Sequence, residues 1–240
     1  EIDLIDLANR MAQIDNRETY DYRGFDSVEL DNDSGSDVFR IYPTNLIGFV
    51  NLFMVDADGN DKLELVGTNN ADSMLHTAAA QYTVNGVPID FGGITTLQLT
   101  GLDGADTMTA DLSVLAGGVT NLLADGGEPS ASGGVVADSL SLTVAGNARI
   151  TQSGDFGSGT VDQAGAVTVD YTTLEALNIQ SNTAGSTLTI RGTNDGDQIA
   201  IAPVAGNGNQ GRVWINDGTV MTFNTAADAN FGTAVLQGRF

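Results

Sequence analysis

The chain has 240 residues, with 31 Asp and Glu against 9 Lys and Arg for a net charge of −22, and it has no cysteine. A field of that sign repels nucleic-acid phosphates and anionic lipid, so neither is expected as a partner. The missing cysteines exclude disulfide staples, thiolate metal sites and a cysteine nucleophile. Thirty glycines among abundant Asn, Asp, Thr and Val supply tight turns and short strands, which predicts an all-β fold. No apolar run approaches ~18 residues, so no membrane insertion is expected. The opening Glu1-Ile2-Asp3, without Met or a basic leader, reads as a processed, secreted protein or a piece of something longer.

In chain order, Leu4, Leu7, Met11 and Ile14 fall at spacings of three and four. That period predicts an amphipathic helix within residues 1–24, serving as a helical cap on the first coil or as an assembly arm. A pattern of apolar residues at positions 0, 2, 11 and 13 then begins. Its sets are Val28, Leu30, Phe39, Ile41, then Leu52, Met54, Leu63, Leu65, then Leu97, Leu99, Met108, Ala110, and finally Leu177, Ile179, Leu188, Ile190. Each set reads as two alternating strands about a turn, because a period of two puts both members of a pair on one sheet face. The turn holds Gly-x-Asp in the first three sets, as Gly35-Ser36-Asp37, Gly59-Asn60-Asp61 and Gly104-Ala105-Asp106, and lacks the Asp in the fourth.

A longer repeat overlies this one. Gly67-Thr68-Asn69 with Asp72 returns 125 residues on as Gly192-Thr193-Asn194 with Asp197. Val84-Asn85-Gly86 leading to Phe91 parallels Ile215-Asn216-Asp217-Gly218 leading to Phe223. Residues 25–125 and 171–240 are therefore expected as two β-repeat units. Residues 126–170 would link them through a Gly/Ser loop around Pro129 and connecting strands. The first two sets start 24 residues apart, about one coil, which favours a parallel β-helix or β-solenoid. Antiparallel β-sandwich repeats, with Asn85-Gly86 and Asp217-Gly218 as hairpin turns, are the alternative.

Candidate chemistry centres on aspartate. Asp56, Asp58, Asn60 and Asp61 crowd one predicted loop, Asp31, Asp33 and Asp37 make a similar group, and Asp103 and Asp106 a third. Calcium takes six to eight hard oxygens, which such loops supply, although Gly67 stands where an EF-hand would need its Glu. The competing expectation is that each Asp caps its own turn. His76 is the only histidine and is expected to be a strand residue without a catalytic role, Trp214 is expected to pack in a strand, and Lys62 to be a solvated turn residue.

The turns Asp58-Gly59-Asn60-Asp61-Lys62-Leu63 and Asp103-Gly104-Ala105-Asp106-Thr107-Met108 resemble degenerate single copies of the calcium-binding nonapeptide of RTX, or haemolysin-type, proteins. The phrasing around them is similar to that of large secreted bacterial surface proteins. The resemblance covers about half the chain, and the back-to-back nonapeptides of a true RTX roll are not there. It implies calcium as the cofactor and an extracellular fibre, surface layer or adhesin as the setting. The expected function is a non-catalytic structural protein that self-assembles with copies of itself. A calcium-stiffened adhesin stalk making glycan or cell-surface contact is the second expectation, and a glycan-degrading β-helix enzyme the third.

Overall fold

A computed structural model describes residues 2–6, 11–14, 18–21, 28–31, 35–42, 53–116, 118–129, 138–155, 157–163, 167–193, 196–205, 207–216, 220–224 and 231–237. Period-two apolar runs in these residues form strands, and no helix occurs among them. In chain order they are β1 (Ile2–Asp6), β2 (Met11–Ile14), β3 (Glu18–Asp21), β4 (Val28–Asp31), β5 (Val38–Ile41) and β6 (Phe53–Val66). Next come β7 (Ser73–Ala78), β8 (Gln81–Val84), β9 (Val87–Thr100), β10 (Asp103–Gly104), β11 (Thr107–Asp111), β12 (Asn121–Asp125) and β13 (Glu128–Pro129). Then follow β14 (Ser139–Val144), β15 (Ala148–Gln152), β16 (Gly159–Gln163), β17 (Thr168–Thr172), β18 (Ala176–Ser181) and β19 (Ser186–Arg191). The last are β20 (Ile199–Val204), β21 (Asn207–Ile215), β22 (Val220–Asn224) and β23 (Phe231–Gln237).

Strand pairing lays these out as two ladders. The first runs β4, the front of β6, the front of β9, β8, β7, β11, β14, β18, β22, β21, β20. The second runs β3, β2, β1, β5, the back of β6, the back of β9, β12, β17, β16, β15, β19, β23. β6 and β9 belong to both, and β10 pairs with β13 apart from them. Most neighbours are parallel, as coil-on-coil stacking requires. Only β2, β8, β16 and β21 run the other way, each the middle strand of a three-strand meander. The result is an open, all-β, solenoid-like fold with antiparallel hairpins built into its coils.

Stacked apolar pairs make the core. Phe39, Leu63, Leu97, Leu122 and Val169 lie in one register, and Ile41, Leu65, Leu99, Ala124 and Tyr171 in the next, all buried. From the first ladder, Met74, Met108, Leu140, Leu177 and Met221 make the facing column. Burying one such side chain stabilises by about 1.5–3 kcal/mol relative to leaving it exposed, and single coils have no closed core of their own.

Three sequence expectations are corrected here. The apolar pairs are strands, but the third set is out of phase: Leu97 and Leu99 stack on Leu63 and Leu65, and Leu177 and Ile179 stack below Met108 and Ala110 by way of Leu140 and Leu142. The opposing pair to Val28 and Leu30 is Phe53 and Val55, one residue along from Leu52 and Met54; Leu52 lies outside the described residues. The amphipathic helix is replaced by β1 and β2. Ile2 and Leu4 also alternate with period two, and β1 pairs in parallel with β5 at Ile2↔Phe39 and Leu4↔Ile41. A helix would leave those backbone groups of β5 unpaired.

The segment Asp56–Asp61, expected as a tight loop, lies within β6. Asp56 pairs with Gly92 and Asp61 with Ile94, so the extra residues are taken up as an irregularity inside a paired strand. The Asn85-Gly86 hairpin does form. Its φ angles of 52° and 81° fit the two-residue turn that joins right-twisted strands, with Val84 opposite Val87. Asp217-Gly218 lies outside the described residues.

Candidate functional site

The corners where the chain passes from the second ladder to the first carry the densest polar chemistry. One arm is Gly67 to Asp72, the next Gly101 to Asp106, the third Gly126 to Asp138, and the fourth ends at Glu175. The acids are stacked. Asp72 N donates to Asp106 Oδ1 at 2.7 Å, Asp106 N to Asp138 Oδ1 at 2.8 Å, and Asp138 N to Glu175 Oε2 at 2.6 Å. Each link is doubled by the main chain, because the residue after the acid donates back to the acid one coil earlier. Thr107 N reaches Asp72 O, Ser139 N reaches Asp106 O, and Ala176 N reaches Asp138 O, at 2.9–3.0 Å. The carboxylates therefore continue the ladder hydrogen bonding around a bend where strand pairing lapses.

The second oxygen is the unusual part. Oδ2 of Asp106 and of Asp138 is buried with no hydrogen-bond partner. Each presses against a corner glycine. A methyl group at Gly126 would stand 2.9 Å from Asp138 Oδ2, and one at Gly101 would run into Asp106 Oδ2 and Gly126 O. Desolvation is the main cause that raises both acids, Asp106 to about 6 and Asp138 to about 7. The negative charge of Asp72 adds to it for Asp106, and Asp106, Glu175 and Asp125 add to it for Asp138. Asp106 and Asp138 therefore hold protons at pH values where an ordinary aspartate has lost them.

Asn85 locks the first corner. Its Nδ2 donates to Asp72 Oδ1 while its Oδ1 accepts from Ser73 N at 2.9 Å. The same clasp recurs in the second unit, where Asn216 Nδ2 donates to Asp197 Oδ1 at 2.7 Å and Asn216 Oδ1 accepts from Gln198 N at 2.7 Å. Both asparagines have φ of 52°. The 125-residue duplication read in the sequence is therefore a duplication of one hydrogen-bonded corner.

The acids singled out in the sequence are dispersed. Asp37 and Asp61 come together, with Asp37 N donating to Asp61 Oδ1 at 2.7 Å in the second ladder. Asp106 joins the corner column with Asp72 and Asp138, which the sequence reading had not picked as site residues. Asp103 is exposed on β10. Asp31 on β4 pairs with Asp56 on β6, Asp58 and Asn60 lie farther along β6, and Asp33 lies outside the described residues. Among the described residues no three His, Asp or Glu side chains come together in a group that could hold a metal. In the corner column the donor set does not fit calcium, since one oxygen of Asp106 and of Asp138 is taken by a backbone N–H and the other faces a glycine, while the two oxygens of Asp72 are held by Thr68 and Asn85. The carboxylates of Asp61 and Asp106 accept backbone N–H groups of the neighbouring coil, a role hidden in sequence because the partner is 24 or more residues away.

A shallow groove of about 370 Å³ crosses the outer face of the first ladder, lined among others by His76, Asp111, Ser141, Asn178 and Gln180. Its polar side chains bond one another along the stack. Asn178 Nδ2 donates to Ser141 Oγ at 3.3 Å and Gln180 Nε2 to Thr143 Oγ1 at 3.0 Å. His76 accepts Asp111 N at Nδ1 (3.1 Å) and stacks on Tyr82, with ring centroids 5.2 Å apart. Desolvation lowers its pKa, and Nε2 is buried without a partner. The ring clasps β7 to β11. Lys62, expected in a turn, is in β6 with Nζ 3.9 Å from Glu64 Oε2. Trp214 is a half-buried residue of β21. No protein-family model, curated protein or solved structure matches this chain.

Proposed function

We propose that the protein is an extracellular structural building block whose coils stack end to end into a fibre or surface layer. The observation that carries this reading is the openness of both ladders. Among the described residues β4 and β20 each pair on one side only, and so do β3 and β23. Edges of this kind are either covered or used for strand addition. The acidic surface, at −22 overall, suits a large assembly that must stay soluble in salt. Negative-stain electron microscopy of the purified protein, with calcium and again after chelation, tests the reading. Regular filaments or sheets are expected. Isolated particles at every protein and salt concentration would sink it.

A calcium-stiffened adhesin stalk is the second reading. It is favoured by one specific pairing, Asp31 beside Asp56, which makes the acidic segments of β4 and β6 neighbours. A calcium-dependent rise in Tm would support it, and an unchanged Tm in calcium and in chelator would remove it.

A further inference from the structure

The two ladders carry different chemistry on their outer faces. Successive coils place equivalent residues in register, so each outward position becomes a column across the strands. On the second ladder one such column runs Arg40, Glu64, Gln98, Leu123 and Asp170, and the column beside it includes Lys62. On the first ladder the column Thr109, Ser141, Asn178 and Thr222 holds no charge. In the next, Asp111, Thr143 and Gln180 lead toward Asn224, and Asp111 is the single charged member. That acid is already engaged, since Asp111 Oδ1 accepts from Ser113 N at 3.0 Å and from Ser113 Oγ at 2.5 Å.

These two columns line the groove of about 370 Å³, which reaches from His76 on β7 to Gln210 on β21. Six neighbouring strands contribute, in the order β7, β11, β14, β18, β22, β21, so its length is roughly 24 Å at ~4.8 Å per strand. Asn178 and Thr222 are half-buried and Gln180 is exposed, so the strip is open to solvent. Its amides are tied along the stack, where Asn224 Nδ2 donates to Gln180 Oε1 at 3.3 Å beyond the bonds of Asn178 and Gln180 to Ser141 and Thr143. An amide nitrogen carries two N–H donors, so each of these bonds leaves a second donor on the same nitrogen. Side chains held in this way lose little freedom when a ligand arrives.

The lining selects its ligand by elimination. Among the described residues that form it there is no Lys or Arg, so a sulfated, phosphorylated or uronate chain finds no cation to pair with. One engaged acid offers little to a basic peptide. Its apolar members, Ala110, Leu142 and Ile179, are core residues turned inward, which removes a lipid or an aromatic ligand. A peptide strand gains affinity by pairing with a sheet edge, and β11, β14, β18 and β22 are paired on both sides. What suits amides and hydroxyls in register is a polyol that donates and accepts along its length. We propose that this groove binds one strand of a neutral polysaccharide, laid across the coils with its hydroxyls on the two columns. Hydrolysis is not part of the assignment, because it needs a pair of carboxylates and Asp111 is the one carboxylate in the lining. Without an aromatic platform a single groove holds its chain weakly, and an array of copies adds avidity. The groove adds a ligand to the structural reading above and does not depend on it.

Affinity electrophoresis tests the assignment. The protein, at −22, migrates readily in a native gel, and a neutral polysaccharide cast into the gel slows it only by binding. Separate gels contain a β-glucan, a mannan, a galactan or, as the charged chain, polygalacturonate. Retardation by at least one neutral chain is expected, and none by polygalacturonate. The double variant Asn178→Ala with Gln180→Ala should weaken that retardation about tenfold in apparent affinity, or roughly 1.4 kcal/mol. Ser141→Ile, which puts apolar bulk on the column, should weaken it as well, whereas Gln98→Ala on the second ladder should leave it unchanged. An unaltered β circular dichroism spectrum checks that each variant is folded. Free migration in all three neutral gels would overturn the proposal, whether or not the protein forms filaments. Retardation that survives in both groove variants, or that only polygalacturonate produces, would overturn it equally.

Discussion

The backbone N–H of Asp106 donates to Oδ1 of Asp138 across 2.8 Å, from one coil to the next. The acid that receives this bond has its other oxygen buried against Gly126, so its ionisation is coupled to folding.

That coupling has a definite sign. Asp106 and Asp138 are raised in the folded protein, to about 6 and about 7 from an ordinary 3.8, chiefly by desolvation. The folded state therefore holds protons that the unfolded chain has released. Their stabilisation is complete below about pH 4 and is lost as pH rises through 6 and 7, an effect on the order of 2 kcal/mol. Thermal melts should give a Tm that falls between pH 5 and pH 8. His76, lowered by burial, works in the opposite sense, so the decisive quantity is the difference made by Asp138→Asn. That variant keeps an acceptor for Asp106 N–H and should flatten the upper part of the fall. An identical pH profile in wild type and variant would refute the coupling.

The corner glycines should be intolerant of a single methyl. At Gly67 it would stand 2.6 Å from Asp72 Oδ2 and 2.7 Å from Gly101 O, and backbone on the next coil cannot yield cheaply. Gly67→Ala and Gly101→Ala are expected to cost about 3 kcal/mol or more in urea unfolding. Gly154→Ala, where nothing lies within 4 Å, should remain within about 0.5 kcal/mol of wild type. Equal effects at the three positions would remove the steric account.

The asparagine clasp gives a third prediction. Asn85→Ala removes two hydrogen bonds and puts a Cβ residue without local side-chain bonding at a φ of 52°, so a loss of about 1–3 kcal/mol is expected. Asn216→Ala should lose a similar amount. Combining Asn85→Ala with Asp72→Ala should cost clearly less than the sum, because both remove one bond. Strict additivity in that double-mutant cycle would argue against the clasp.

Assembly should depend on salt. Molecules carrying −22 repel at low ionic strength, and the Debye length shrinks from ~30 Å at 0.01 M to ~10 Å at 0.1 M. The concentration at which polymers appear in sedimentation should therefore drop as sodium chloride is raised over that range. A rise would point to charge attraction as the driving force instead.

Much of this was legible in the sequence, and the parts that were not share a cause. Val84-Asn85-Gly86 announced a hairpin because the turn chemistry is local. Leu63 with Leu65 and Leu97 with Leu99 announced strands because period two is local as well. What stacks on what is not local. The sets containing Leu63 and Leu97 look alike at either phase, and only the pairing of Leu63 with Leu97 across two coils fixes it. Leu4, Leu7, Met11 and Ile14 satisfied a helical period, yet the free edge of β5 offered backbone partners that no sequence window contains. Asp106 was found as an acid in a turn, but its partner Asp138 lies beyond a Gly/Ser-rich stretch and only the folded coil brings them together.

The meanders carry a geometric consequence of their own. An ordinary pass adds one strand to a ladder, whereas a meander adds three, or roughly 10 Å of extra height at ~4.8 Å per strand. β1–β2–β3 raises the second ladder, β7–β8–β9 the first, β15–β16–β17 the second again, and β20–β21–β22 the first. Each ladder therefore receives two of the four insertions. Deleting any one of these hairpins would take two strands from one ladder and none from the other, so the coils beyond it would have to tilt toward the shortened side.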